Sequence, residues 1–383
     1  MTEQLFTNGR IMTDAGLGDG EVLVRDGRIV AIGRPGEIDF TAATRVDLGG
    51  NMLLSGFIDT QVNGGGDALF NADPSVATIA RIGAAHRRYG TTGFLPTLIS
   101  DDLSIVAEAL AAMRAAIAAG VPGVLGAHIE GPFLSDERSG IHDADHFRRL
   151  DAAGFDVLTA PGAGRVLVTL APEMAGTAAI GALVAAGLTL AAGHTNATFA
   201  EMEAALSAGV TGITHLFNAM SPMTSRAPGV VGAALLSEAY CGIIVDGKHV
   251  HPAVLKVALR SRPLDLFMLV TDAMPCVGGN RVAFDLQGKT IEVRDGACYD
   301  SEGRLAGSDL DMATAVRNCV DLLGLDLSVA SRMASGNPAA FLGLGGETGR
   351  IAPGLRADFV LLDGGLNVLE TWIGGVANDV SHA

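Results

Sequence analysis

Eight short apolar runs, most separated by helix-compatible stretches, constrain this chain more than any other feature. They lie at 52–59, 93–98, 124–130, 166–171, 188–193, 212–215, 242–246 and 267–272, with helical stretches such as 75–89, 103–119 and 199–208 between them. Runs of this length read as buried strands, and parallel strands need crossover helices to return. Eight βα units predict an α/β fold, a TIM-like (β/α)8 barrel over residues 51–344.

The chain ends have a different style. EVLVRDGRIVAIG alternates around Asp26-Gly27, a hairpin signal, and RIAPGLRADFVLLD carries a Pro-Gly turn before an apolar run. Residues 1–50 and 345–383 are thus expected to pair into one small, discontinuous β domain. After the eighth run, 281–293 reads as a hairpin turning at Gln287-Gly288, followed by a helix over 312–323.

Composition narrows the class. The chain is 49% hydrophobic and 18% charged, which supports a large core and excludes global disorder. With 42 acidic against 26 basic residues, the net charge of -16 argues against a nucleic-acid partner. An anionic substrate would need a local cationic pocket. Cys241, Cys276, Cys298 and Cys319 form no CxxC pair and read as thiols of a reducing compartment. No secretory signal is visible in MTEQLFTNGR. The uncharged stretch 176–193 divides at Gly187 into a Gly/Ala-rich helix and a strand, not a membrane span. A soluble, cytoplasmic chain is expected.

Four apolar runs end on a polar residue: Glu130, His194, His215 and Asp272. Chemistry in such barrels gathers at the C-terminal ends of the strands. Either histidine alone would be an ordinary core or surface residue. Together with Glu130 they make a metal-ligand set that leaves a coordination position open for water, whose pKa a Zn²⁺-type ion lowers toward about 7. Asp272, in LVTDAMP, could be a turn aspartate, but its place beside the ligands favours a general base. A ligand role for Asp59, at the end of the first run, stays open, while Glu173 and His86 read as structural. Arg226, His249 and His142 follow these strands in loops and are the donors an anion-binding pocket would need. GKT at 288–290 lacks the upstream glycine of a phosphate loop, and there is no G-x-S-x-G elbow.

GFIDTQVNG, HIEGPF, GHTNA, THLFNAMSPMTSRAPGVVG, DGKHV, LVTDAMP and LAGS occur in that order. In this the chain resembles the N-acetylglucosamine-6-phosphate deacetylases of the amidohydrolase superfamily, over roughly residues 5 to 375. The resemblance implies that the small domain is β-sandwich-like and that the reaction is hydrolysis of the acetamide of N-acetyl-D-glucosamine 6-phosphate. It implies Glu130, His194 and His215 as metal ligands, Asp272 as acid/base and His142 as the contact to the substrate carbonyl. Asn218, Ala219, Arg226 and His249 match positions that hold the sugar phosphate. A homodimer is implied, with Arg226 or His249 serving the neighbouring site.

Many amidohydrolases carry H-x-H at the end of the first strand, where this chain has Gln61-Val62-Asn63. Neutral amides are poorer ligands for such an ion, so one divalent metal per subunit is expected, Zn²⁺ first, with Fe²⁺, Co²⁺ or Mn²⁺ also compatible. Two other readings stay open. One changes the substrate to N-acetylgalactosamine 6-phosphate or another N-acyl sugar phosphate. The other is a non-catalytic scaffold on the same fold, against which the complete set of four residues argues.

Overall fold

A computed structural model describes residues 3–40 and 43–378. Within the expected small domain, residues 1, 2, 41, 42 and 379–383 lie outside the described residues.

Eight parallel strands pair in chain order: β1 (Phe57–Val62), β2 (Thr91–Ile99), β3 (Gly126–Glu130), β4 (Arg165–Leu170), β5 (Thr189–Ala192), β6 (Gly212–Ile213), β7 (Tyr240–Ile243) and β8 (Phe267–Leu269). Helices Val76–Arg87, Leu103–Ala118, Ala152–Leu158, Thr177–Ala185, Phe199–Ser207, Gly229–Leu236 and Pro252–Ser261 make the crossovers. The segment after β8 returns to β1. Asp272 N–H donates to the Gln61 carbonyl and Asn63 N–H to the Ala273 carbonyl, each at 3.0 Å. One buried carboxylate adds to this seam, because Asp59 accepts from Thr271 Oγ1 at 2.5 Å and from Gln61 N–H at 3.1 Å. The result is a nearly closed TIM-like barrel.

The first run is corrected by this arrangement. Met52–Ser55 belongs to another sheet, paired antiparallel with Phe359–Leu362. Only after Gly56 does the chain enter β1, which runs on to Val62 and leaves Asp59 in mid-strand. Gly56 sits where the two sheets meet, and a Cβ there would lie 2.2 Å from the Thr92 side chain. Any larger residue would push the junction apart.

Both chain ends contribute to that second sheet. Glu3–Thr13 pairs antiparallel with Gly16–Arg25 and parallel with Met52–Ser55, while Phe359–Leu362 leads on to Val368–Ile373. Phe6, Val22, Leu53, Phe359 and Trp372 belong to a core cluster separate from the barrel's. Phe6 meets the Phe359 and Trp372 rings edge-on at 5.1 and 5.3 Å, a favoured aromatic geometry. The hairpin after β8 is present. Gln287 and Gly288 both have positive φ (50° and 79°) between Ala283–Leu286 and Lys289–Arg294, as a tight primed turn requires. The following helix spans Met312–Asp321. Among the described residues, no helix is long and apolar enough to cross a membrane.

Candidate active site

The polar residues that close the runs converge at the C-terminal rim. Glu130 is the last residue of β3, and His194, His215 and Asp272 follow the ends of β5, β6 and β8. These last three have left-handed backbone, with φ of 47°, 31° and 53°. Such a conformation is costly for a residue with a side chain, and here it coincides with the aiming of functional groups.

Glu130 Oε1 lies 3.1 Å from His215 Nε2 and 3.3 Å from His194 Nε2, and the two nitrogens are 3.0 Å apart. All three residues are buried. Ligands about 2.0–2.1 Å from a tetrahedral ion stand roughly 3.3 Å from one another, so this triangle fits a divalent cation. The His194 tautomer fits as well. Its Nδ1–H donates to the Arg138 carbonyl at 2.9 Å, leaving the Nε2 lone pair for the metal. Burial and then the bonds from both histidines act in opposite directions on Glu130, and the histidines hold it well below the usual carboxylate range.

Asp272 faces this triangle across two amides. Asn63 Nδ2 donates to its Oδ1 at 2.7 Å, and Gln61 Nε2 lies 3.2 Å from the same oxygen and 3.0 Å from Glu130 Oε1. The residues expected to be merely poor ligands are therefore hydrogen-bond donors to two carboxylates. Burial, and then the charge of Glu130, push Asp272 up to about 6. His142 is buried and accepts from Ser100 N–H at its Nδ1, with Ser100 Oγ 2.8 Å away. The ring proton consequently sits on Nε2. Burial, and then the neighbouring His194, hold His142 well below its ordinary pKa, so it is a neutral donor.

A cavity of about 160 Å³ is lined by Glu130, His142, His194, His215 and Asp272 together with Asn218, Ala219 and His249. Arg226 is not brought to it within one chain and stands exposed on the loop before Gly229–Leu236. Asp59 points into the β1–β8 seam and is not part of the ligand triangle; burial pushes it up to about 7, against the bonds from Thr271 and Gln61. Glu173 is structural, as expected, but with a purpose. Its carboxylate accepts from Thr195 Oγ1 at 2.6 Å and Asn196 N–H at 2.7 Å, pinning the turn just after His194. His86 binds the Gly64 carbonyl at 2.9 Å, away from the cavity.

One layer below the rim, His128 on β3 lies 2.7 Å from Thr169 Oγ1 and 3.3 Å from Thr97 Oγ1. Burial lowers this histidine to about 4. Sequence reasoning missed Ser100, Gln61 and Asn63 as working parts. Their only signal was position, at the ends of β1 and β2, which no histidine marks.

The Amidohydrolase family model matches residues 52–379. The chain is 45% identical over 326 residues to the N-acetylgalactosamine-6-phosphate deacetylase of Shewanella sp. (strain ANA-3), covering 84% of this chain and 82% of that one. It is 38% identical to the N-acetylglucosamine-6-phosphate deacetylase of Bos taurus, covering 97% and 94%. The crystal structure of N-acetylglucosamine-6-phosphate deacetylase from Pasteurella multocida superposes with a TM-score of 0.92 at 35% identity, covering 98% and 99% of the two chains.

Proposed function

The chain belongs to the amidohydrolase family, among its N-acetyl amino-sugar 6-phosphate deacetylases, and on that basis we propose its reaction. It hydrolyses the acetamide of N-acetyl-D-glucosamine 6-phosphate to D-glucosamine 6-phosphate and acetate, as a step of amino-sugar catabolism. The observation that carries this reading is the Glu130–His194–His215 triangle facing an amide-held Asp272 in one cavity.

Glu130, His194 and His215 would hold one divalent ion, Zn²⁺ in the first instance. When bound, such an ion supplies Lewis-acid polarisation of the amide carbonyl and acidifies water toward neutral pH. The rest is done by the chain. His142 Nε2–H donates to the acetamide oxygen as negative charge develops there. Asp272, with Oδ1 occupied by Asn63 and Gln61, offers Oδ2 to take a proton from the attacking water. It then returns that proton to the departing amine. Asn218, Ala219 and His249 position the sugar phosphate, and Arg226 reaches the site of a second subunit in a homodimer. Gln61 and Asn63 support a mononuclear site, because neutral amides are poorer ligands than the imidazoles of an H-x-H pair and their NH₂ groups are spent on Glu130 and Asp272. The sheet built from both chain ends is taken as a small β-sandwich domain, and the enzyme as cytoplasmic.

A second reading, N-acetylgalactosamine 6-phosphate as the preferred substrate, is favoured by the 45% identity to a deacetylase named for that sugar. Acetate release is to be measured on both epimers, before and after chelation and with metal returned. Loss on chelation and recovery on add-back are expected. A metal-loaded preparation that releases acetate from neither sugar would overturn the reading, and the ratio of kcat/KM values decides the epimer. Two equivalents of tightly bound metal per chain would refute the mononuclear site.

A further inference from the structure

We propose that Asp246 is a positioning residue for phosphate recognition, holding the His249 imidazole as a cationic donor at the wall of the catalytic cavity. This rests on the reading of His249 as a phosphate contact. The two residues belong to the turn that follows β7. Asp246 Oδ1 accepts the N–H groups of Lys248 and His249 at 2.8 and 2.9 Å, which folds DGKHV back on itself. The other oxygen, Oδ2, lies 2.6 Å from His249 Nδ1. The two side chains are only 4% and 6% exposed, so water screens this pair little.

With Nδ1 committed to Asp246, His249 has only Nε2 to offer the cavity. A neutral ring in this tautomer would present a lone pair, which repels a phosphate oxygen. An imidazolium presents Nε2–H and a positive charge, which a phosphate monoester accepts strongly. Asp246 itself stays ionised: burial pushes it up, but the bond and charge of His249 bring it below its ordinary value. Asp246 is not among the cavity-lining residues and stands behind the ring. In a chain of net charge -16, a local cation held this way answers the need of an anionic substrate.

The test compares Asp246→Asn, His249→Asn and the double variant on N-acetylglucosamine 6-phosphate and on unphosphorylated N-acetylglucosamine. In Asp246→Asn the one amide oxygen can keep the two backbone N–H groups, which turns the NH₂ group toward Nδ1, so the substitution keeps the turn and removes both the negative charge and the acceptor behind the ring. Asp246→Asn should raise KM for the phosphorylated sugar about tenfold, the scale of one charge-assisted hydrogen bond, with kcat changed much less. Activity on the unphosphorylated sugar should stay near wild type, and the substitution should add nothing in the His249→Asn background. An unchanged KM for Asp246→Asn beside a raised KM for His249→Asn would sink the role of Asp246 alone. If His249→Asn leaves KM unchanged, the phosphate reading of His249 fails first. Equal losses on both sugars would mark Asp246 as structural only.

Discussion

Glu130 and His128 stand two residues apart on the same strand and face the same barrel interior, and both are buried. Their surroundings differ completely. His128 lies against threonine hydroxyls of the neighbouring strands, and Thr169 Oγ1 in turn meets Thr214 Oγ1 at 2.6 Å. Each group in that layer can donate to one neighbour and accept from another, so it is complete without a ligand. At the rim, a carboxylate and two imidazole nitrogens converge within 3.3 Å of one another, all acceptors in the form that binds metal. Such a constellation is complete only with a cation. Depth along a strand, more than residue type, separates a histidine satisfied by its neighbours from one left open to a cation.

That contrast can be broken by substitution. Glu130→Ala should cost the most: loss of bound metal by elemental analysis and an activity loss of about 10⁴-fold. Retained metal and activity would remove the rim from the catalytic account. Asp272→Asn should lower kcat by about 10²–10⁴ while metal content stays at the wild-type level.

As the proposed base, the same residue should set an acid limb. A base must be ionised to work, so kcat/KM should fall as pH drops through the Asp272 pKa, about 6 in the metal-free chain and lower beside a bound cation. A pH profile whose limb persists unchanged in the Asn variant would assign it to another group.

Asn63→Ala removes the 2.7 Å donor to Asp272 and should reduce kcat about tenfold without loss of metal. His128→Asn, one layer down, should change kcat least and act on stability instead, by about 1–3 kcal/mol in denaturant titrations. Its folded pKa of about 4 is below the ordinary 6.5. The wild type should therefore lose stability relative to this variant as pH falls from 6.5 toward 4, because over that window the ring takes up its proton only in the unfolded chain. A variant whose stability kept the same pH slope would contradict that layer's description.

Much of this was legible in the sequence because strand ends are local. An apolar run closed by Glu130, His194 or His215 names both the element and the group it delivers. Asp272 was equally visible, and so was the hairpin at Gln287-Gly288. What could not be read depends on partners far along the chain. Whether Met52–Ser55 joins the barrel or the small sheet is decided by Phe359–Leu362, near the other end of the chain. The sequence marks Gln61 and Asn63 only as poor ligands, while in the fold they donate hydrogen bonds to carboxylates on β3 and after β8. Ser100 carries no metal or acid chemistry of its own, and only its contact with His142 gives it meaning. Arg226 stands outside the cavity of its own chain, and its proposed role depends on a neighbour.

The left-handed turns at His194, His215 and Asp272 have a consequence for engineering. A catalytic rim of this type cannot be transplanted by copying letters alone. On a host barrel whose strands ran straight out in extended geometry, the same side chains would splay away from one another. The graft must carry three main-chain kinks with it, together with the anchors at Arg138, Glu173 and Asp59 that surround them. Libraries seeking new substrates would do better to diversify the loop around Arg226 and keep those three corners intact.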